Sequence, residues 1–124
     1  MIRLSDLQLE VMQVLWDRGE ASIADVHAVL EARHGLAYTT VSTLLKRLED
    51  KRAVKRRREG RVLVYAPRVD QAAVRGRMVG NLVDRLFEGD PAALVSHLLG
   101  DEKVTDDDID RIRALLHKHG DDND

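Results

Sequence analysis

The chain has 124 residues, 44% hydrophobic but only 3% aromatic, with a formal net charge of −2; that size allows one domain, or a small domain plus an oligomerisation segment, around an aliphatic core. Cysteine is absent, which excludes disulfides, zinc–thiolate sites and a catalytic thiol, and no apolar run approaches transmembrane length. The near-neutral total hides an asymmetry, because residues 46–77 hold twelve bases against four acids (net +8) while residues 101–124 hold nine acids against four bases (net −5).

A basic middle joined to an acidic end predicts a polyanion-binding module with a separate partner surface. The opening MIRLSDLQLE lacks a charged region followed by an apolar core, so a cytoplasmic protein is expected.

Ser5 with Gln8 three residues later forms a capping box for a first helix. Leu7, Val11, Val14 and Leu15 make its stripe, widened by Leu9, Met12 and Trp16, and the run Asp17, Arg18, Gly19 ends it. So wide an apolar surface predicts burial between helices and makes Trp16 a core residue. Ser22 caps a second helix with Ile23, Val26 and Leu30 on one face, ending near Gly35. His27 and His34 are too isolated to argue for a metal and are expected at the surface.

Residues 38–51, YTTVSTLLKRLEDK, place Val41, Leu44, Leu45 and Leu48 at i, i+3, i+4 and i+7, one face of a helix. Thr39, Thr40, Ser42 and Thr43 occupy the other face, followed by Lys46 and Arg47. Short hydroxyl side chains can meet base edges closely, and the cations beyond can hold phosphates. Two helices joined by a tight turn containing Gly35 read as a helix-turn-helix unit whose second helix is the reader. An ordinary solvated amphipathic helix would explain these fourteen residues alone; their neighbours decide against it.

Residues 53–58 form a short strand candidate, Glu59 and Gly60 a turn, and residues 62–66 an alternating strand, with Pro67 stopping the pairing. Lys55, Arg56, Arg57, Arg58 and Arg61 crowd this hairpin. Placed after the reading helix, it predicts a wing whose arginines reach the DNA backbone. The bland reading is an edge strand kept soluble by charge, and four arginines in RRREGR make it the weaker one.

Residues 71–88 read as a long helix with Val79, Leu82, Val83, Leu86 and Phe87 as its apolar side, although Gly76 and Gly80 weaken it. Asp90 and Pro91 start another helix, with Leu94, Val95, Leu98 and Leu99 closed by Gly100. Thr105 caps a last helix bearing Ile109, Ile112 and Leu116, its acidic first turn suited to the helix dipole. An acidic tail from Gly120 is expected to be disordered. Three short helices make a small core alone; packing against a second copy would bury Val79, Leu82, Val83, Leu86, Phe87, Leu94, Leu98, Ile109, Ile112 and Leu116. Folding back on the first domain is the alternative.

No nucleophile with a paired base, phosphate loop or metal site stands out, so the chain is not read as an enzyme and no cofactor is expected. The expected fold is mostly α with a small β-hairpin. Residues 1–70 form a winged helix-turn-helix DNA-binding domain, and residues 71–124 a helical dimerisation region with a short acidic tail.

The segments LEVMQVLW (9–16), YTTVSTLLKRLEDK (38–51) and GRVLVYAP (60–67), in that order and spacing, resemble the penicillinase-repressor (BlaI/MecI/CopY) family. The resemblance implies a winged-helix homodimer that represses transcription by occluding promoters at TACA/TGTA-like palindromic operators. It implies base contacts at Thr39, Thr40 and Ser42 and backbone contacts at the hairpin arginines. Release by a sensor-controlled protease is implied for the β-lactam branch, with His97 and Leu98 at the aligned cleavage position in place of that branch's Asn-Phe pair. The cysteine-rich tail of the copper branch is missing. Arg52 stands where the family commonly has glycine, so a different turn into the wing is expected. A protein-interaction adaptor without specific DNA binding is the competing function.

Overall fold

Reciprocal side-chain caps start the first two helices of the structure, a computed structural model that describes residues 4–122. The Ser5 hydroxyl accepts the Gln8 N–H at 3.1 Å while Gln8 Oε1 accepts the Ser5 N–H at 3.0 Å, opening α1 (Asp6–Arg18). Ser22 and Asp25 do the same for α2 (Ile23–His34), which ends on Gly35 in the left-handed region (φ 66°), where a side chain would be strained. Three residues later α3 (Tyr38–Asp50) begins.

Between the first two helices lies a strand that sequence periodicity cannot register. β1 (Ala21–Ser22) is two residues long. It pairs antiparallel with β3 (Val62–Pro67), which in turn pairs with β2 (Val54–Glu59), giving the order β1-β3-β2. The expected hairpin is therefore a three-stranded sheet. Its turn residues are Gly60 and Arg61, one later than expected, and only Gly60 has positive φ (61°), the sign pattern of a II′ hairpin turn. Pro67 closes the pairing from inside β3, opposite Val54. Lacking an N–H, proline is tolerated at such an end.

Val41, Leu44, Leu45 and Leu48 are all buried, so the periodic face of α3 is its core face. Burying four such side chains contributes on the order of 6–12 kcal/mol before entropy is counted. They meet Val11, Met12 and Leu15 of α1, Val26 and Leu30 of α2, and Tyr65 of β3 in one core. Three helices, a short sheet and its hairpin make a winged helix-turn-helix.

Two expectations about α1 change. Leu7 is 37% exposed, and Gln8 takes the buried place beside it. Trp16 packs only against the edge of the core, because its Nε1–H donates to Val69 O at 2.9 Å where the chain leaves the sheet.

The chain divides into two compact units, Met1–Arg75 and Gly76–Asp124, the division falling within α4 (Gln71–Leu86). In the second unit, Asp90 caps α5 (Pro91–Leu99) by accepting the Ala92 and Ala93 N–H groups. Thr105 and Asp108 cap α6 (Asp106–Asp122) reciprocally at 3.0 and 3.1 Å. α6 runs through Gly120 to Asp122, so the expected disordered tail is helical that far. Its last two residues, Asn123 and Asp124, lie outside the described residues.

Candidate nucleic-acid interface

The outer face of α3 is set by what its inner face buries. Thr39, Thr40, Thr43, Lys46 and Arg47 are exposed and Ser42 is half-buried, so the structure brings the candidate base-reading residues onto one exposed helix side. Thr43 Oγ1 donates to Thr39 O at 2.9 Å, which holds its rotamer and spends its hydroxyl proton within the helix. The N-cap of α3 is Ala37, with no side-chain cap bond and no acid in the first turn. Its first amides therefore keep unspent donors at the positive end of the helix dipole, an environment that favours phosphate.

The entry to α3 is held by a residue first expected at the surface. His27 is half-buried, its Nε2 3.1 Å from Leu36 O and 3.0 Å from Glu31 Oε2. Bonding to the carbonyl requires the proton on that nitrogen. The His27 ring also meets Tyr38 edge-on, with centroids 5.5 Å apart. The α2–α3 turn is thus tied on both sides. His34 is exposed and faces Glu10 at 3.5 Å.

The exit from α3 is tied as firmly. Arg52 N–H donates to Glu49 O and Ala53 N–H to Leu48 O, both at 2.9 Å, which is the Schellman pairing with Arg52 as its left-handed residue. Arg52 has φ 63°. The expected departure is therefore corrected: arginine takes the backbone that glycine would take more cheaply, because both carbonyl partners and buried Ala53 fix it there. Lys51 Nζ donates to Gln8 Oε1 at 2.8 Å, pinning the end of α3 to the start of α1.

Along β2, residues 55–59 are exposed. Arg56 Nε lies 3.0 Å from Glu49 Oε2 on α3. Arg57 lies 2.7 Å from Glu20 and 3.2 Å from Glu59. The hydrogen bond and charge of Glu20, then those of Glu59, raise the Arg57 pKa further above its ordinary range. Lys55, Arg58 and Arg61 on the wing, and Lys46 and Arg47 on α3, form no ion pair among the described residues. Sequence reasoning grouped all the wing cations together and missed Glu20 and Glu49. No local signal could have found Glu20, which meets Arg57 across thirty-seven positions of chain; Glu49 is only seven residues from Arg56, and its pairing depends on the turn from α3 into β2.

In the second unit, Val79, Leu82, Leu86, Leu98 and Leu116 are exposed, and Phe87, Leu94, Ile109 and Ile112 half-buried. Val83 is already buried within its own chain, whereas Val95, Leu99 and Leu115 join the exposed apolar set. No cluster that could hold a metal ion occurs among the described residues, and no helix among them is long and apolar enough to cross a membrane.

The penicillinase repressor family model matches residues 4–118. The transcriptional regulator BlaI of Mycobacterium tuberculosis is 40% identical over 116 residues, covering 92% of this chain and 83% of its own. The penicillinase repressor of Bacillus licheniformis is 27% identical over 117 residues, covering 94% of this chain and 91% of its own. Among solved structures, the Bacillus licheniformis BlaI monomer in complex with the blaP half-operator aligns with a TM-score of 0.52 at 35% identity, over 57% of this chain and 87% of that one.

Proposed function

The chain belongs to the penicillinase repressor family, and from that membership we propose a DNA-binding transcriptional repressor that acts as a homodimer at palindromic operators. The observation that carries the reading is the exposed side of α3, hydroxyls first and cations after, beside a wing whose outer cations form no ion pair among the described residues. Thr39, Thr40, Ser42 and Thr43 read base edges, a threonine methyl against a thymine methyl being one suitable contact. Of the seven cations expected at the DNA backbone, Lys46, Arg47, Lys55, Arg58 and Arg61 are proposed as phosphate ligands, while Arg56 and Arg57 are engaged by carboxylates. A solved relative bound to a half-operator supports this use of the fold.

We assign DNA binding to the first unit and dimerisation to the second. The exposed leucines of α4, α5 and α6 support that division, since a two-fold protein reads two half-sites. Repression follows from occlusion of promoter DNA in the cytoplasm, and no catalytic step is assigned. Release is by loss of the dimer. His97 and Leu98 lie exposed near the end of α5, accessible to a protease once that helix frays.

Fluorescence anisotropy with a TACA/TGTA dyad and a scrambled duplex, at low and near-physiological salt, tests the proposal. Selective binding of two chains per dyad that survives the higher salt is the expected result. Equal binding that vanishes with salt would reduce the site to a basic surface, and binding to neither would favour a protein-interaction adaptor.

A further inference from the structure

The wing's cations do not occupy equivalent places. β3 lies between β2 and β1, and Arg57 stands opposite Val64, itself opposite Ser22. To meet Glu20, just before β1, the Arg57 guanidinium must cross the middle strand. One of its terminal nitrogens is held by Glu20 and the other by Glu59, so reaching a phosphate would mean breaking both pairs. Glu20, Asp25 and Glu59 surround a groove on that side of the sheet. A phosphate backbone laid there would meet like charge.

Alternation along a strand puts Arg56 and Arg58 on the opposite side from Arg57. Arg56 is paired with Glu49 in the last turn of α3, tying wing to helix. Arg58, two residues nearer the tip, and Arg61 in the turn itself have no ion pair among the described residues.

We propose that Arg56 and Arg57 are positioning residues that brace the wing, one against α3 through Glu49 and one across the sheet through Glu20, and that, of the four wing arginines, Arg58 and Arg61 carry the phosphate contacts. This rests on the DNA-binding reading above and adds an orientation to it. The wing presents its tip and its α3 side to the duplex, and turns its acidic side away.

The salt dependence of dyad binding separates the two sets. Each phosphate contact contributes about 0.9 to the slope of log K against log salt concentration. Arg58→Gln and Arg61→Gln should each lose about that much per chain. Arg56→Gln and Arg57→Gln should keep the full slope while weakening cognate binding about two- to five-fold, the range of an exposed ion pair.

The charge-swapped pair Glu20→Arg with Arg57→Glu should recover part of the affinity that Arg57→Glu alone removes, Glu59 still opposing the new carboxylate. A lost slope unit in Arg57→Gln, with no recovery in the swapped pair, would overturn the assignment. If the parent protein binds neither dyad nor scrambled DNA, the repressor reading falls instead. The brace is then judged without DNA, by amide exchange over residues 54–67. Glu20→Gln and Glu49→Gln should speed that exchange, and unchanged rates would refute the brace.

Discussion

Arg52 shows how one side chain can be held in backbone it does not favour. Its φ of 63° costs an L-residue roughly 1–2 kcal/mol relative to glycine. The Schellman bonds at 2.9 Å and the buried Ala53 that follows leave the chain no other route into β2. Arg52→Gly relieves that cost but loosens the unfolded chain by roughly 0.4–1 kcal/mol. The expected net gain is about 0.5–1 kcal/mol, read as a higher urea midpoint at unchanged m-value; a lower midpoint would mean that the arginine makes a compensating contact. The α3 face divides by chemistry at the same scale. Thr40 offers a small methyl and hydroxyl on the exposed face, so Thr40→Ala should narrow the affinity gap between dyad and scrambled DNA, by less per half-site than the roughly 1–3 kcal/mol of a bidentate base contact. Equal losses on the two duplexes would contradict a base-reading role.

At the scale of elements, what was legible in the sequence was what is local and periodic. The core face of α3, the capping box before α1, the Ser22 cap before α2 and the proline start of α5 each sit within a few residues of chain, and each is found in place, Asp25 adding a reciprocal bond at Ser22 that was not expected. β1 was invisible because two residues cannot display alternation, and it exists only by pairing with β3. The brace at Glu20, the Lys51–Gln8 tie and the Trp16 anchor were hidden because each joins elements distant in sequence, and the Glu49 brace because it depends on how β2 turns back beside α3. Trp16 gave the wrong environment because its apolar body resembles core, while its indole N–H needs a partner at the edge. Trp16→Phe keeps an aromatic ring, though a smaller one, and strands Val69 O, so stability should fall by at least about 1 kcal/mol, with faster amide exchange at the end of β3. An unchanged midpoint would show that water replaces the indole.

α6 supplies an element whose cap carries a sign in pH. The Asp108 carboxylate accepts the Thr105 N–H at 3.0 Å. That bond, then the one to the Thr105 side chain, lowers its pKa below the ordinary carboxylate range. A depressed folded pKa gives stability that is complete above the unfolded value and disappears as pH falls through the folded one. Asp108→Asn should therefore melt more easily than the parent at neutral pH, by thermal circular dichroism. The gap should close on acidification below the carboxylate range, and a gap independent of pH would show that charge plays no part in the cap.

The whole molecule joins an exposed hydroxyl- and cation-bearing surface in one unit to an exposed apolar one in the other. On α4, Leu82 and Leu86 are 41% and 69% exposed, and on α6 Leu115 and Leu116 are 66% and 65% exposed. Apolar side chains repeated on successive helices and left in water mark an association surface. In the proposed dimer the two units act together, because phosphate contacts made by one chain at one half-site would be few and salt-sensitive. Leu82→Glu with Leu86→Glu places charge on the α4 face while leaving the winged helix untouched. Sedimentation should then give a monomer at concentrations where the parent is a dimer. Dyad affinity should fall to that of a half-site and its salt slope should halve, since half the phosphates are contacted. Half-site affinity should remain unchanged, which distinguishes a lost interface from an unfolded protein. If the doubly charged variant stays dimeric with full dyad affinity, the α4 face is not what joins the two copies, and the apolar side chains of α5 and α6 must do so without it.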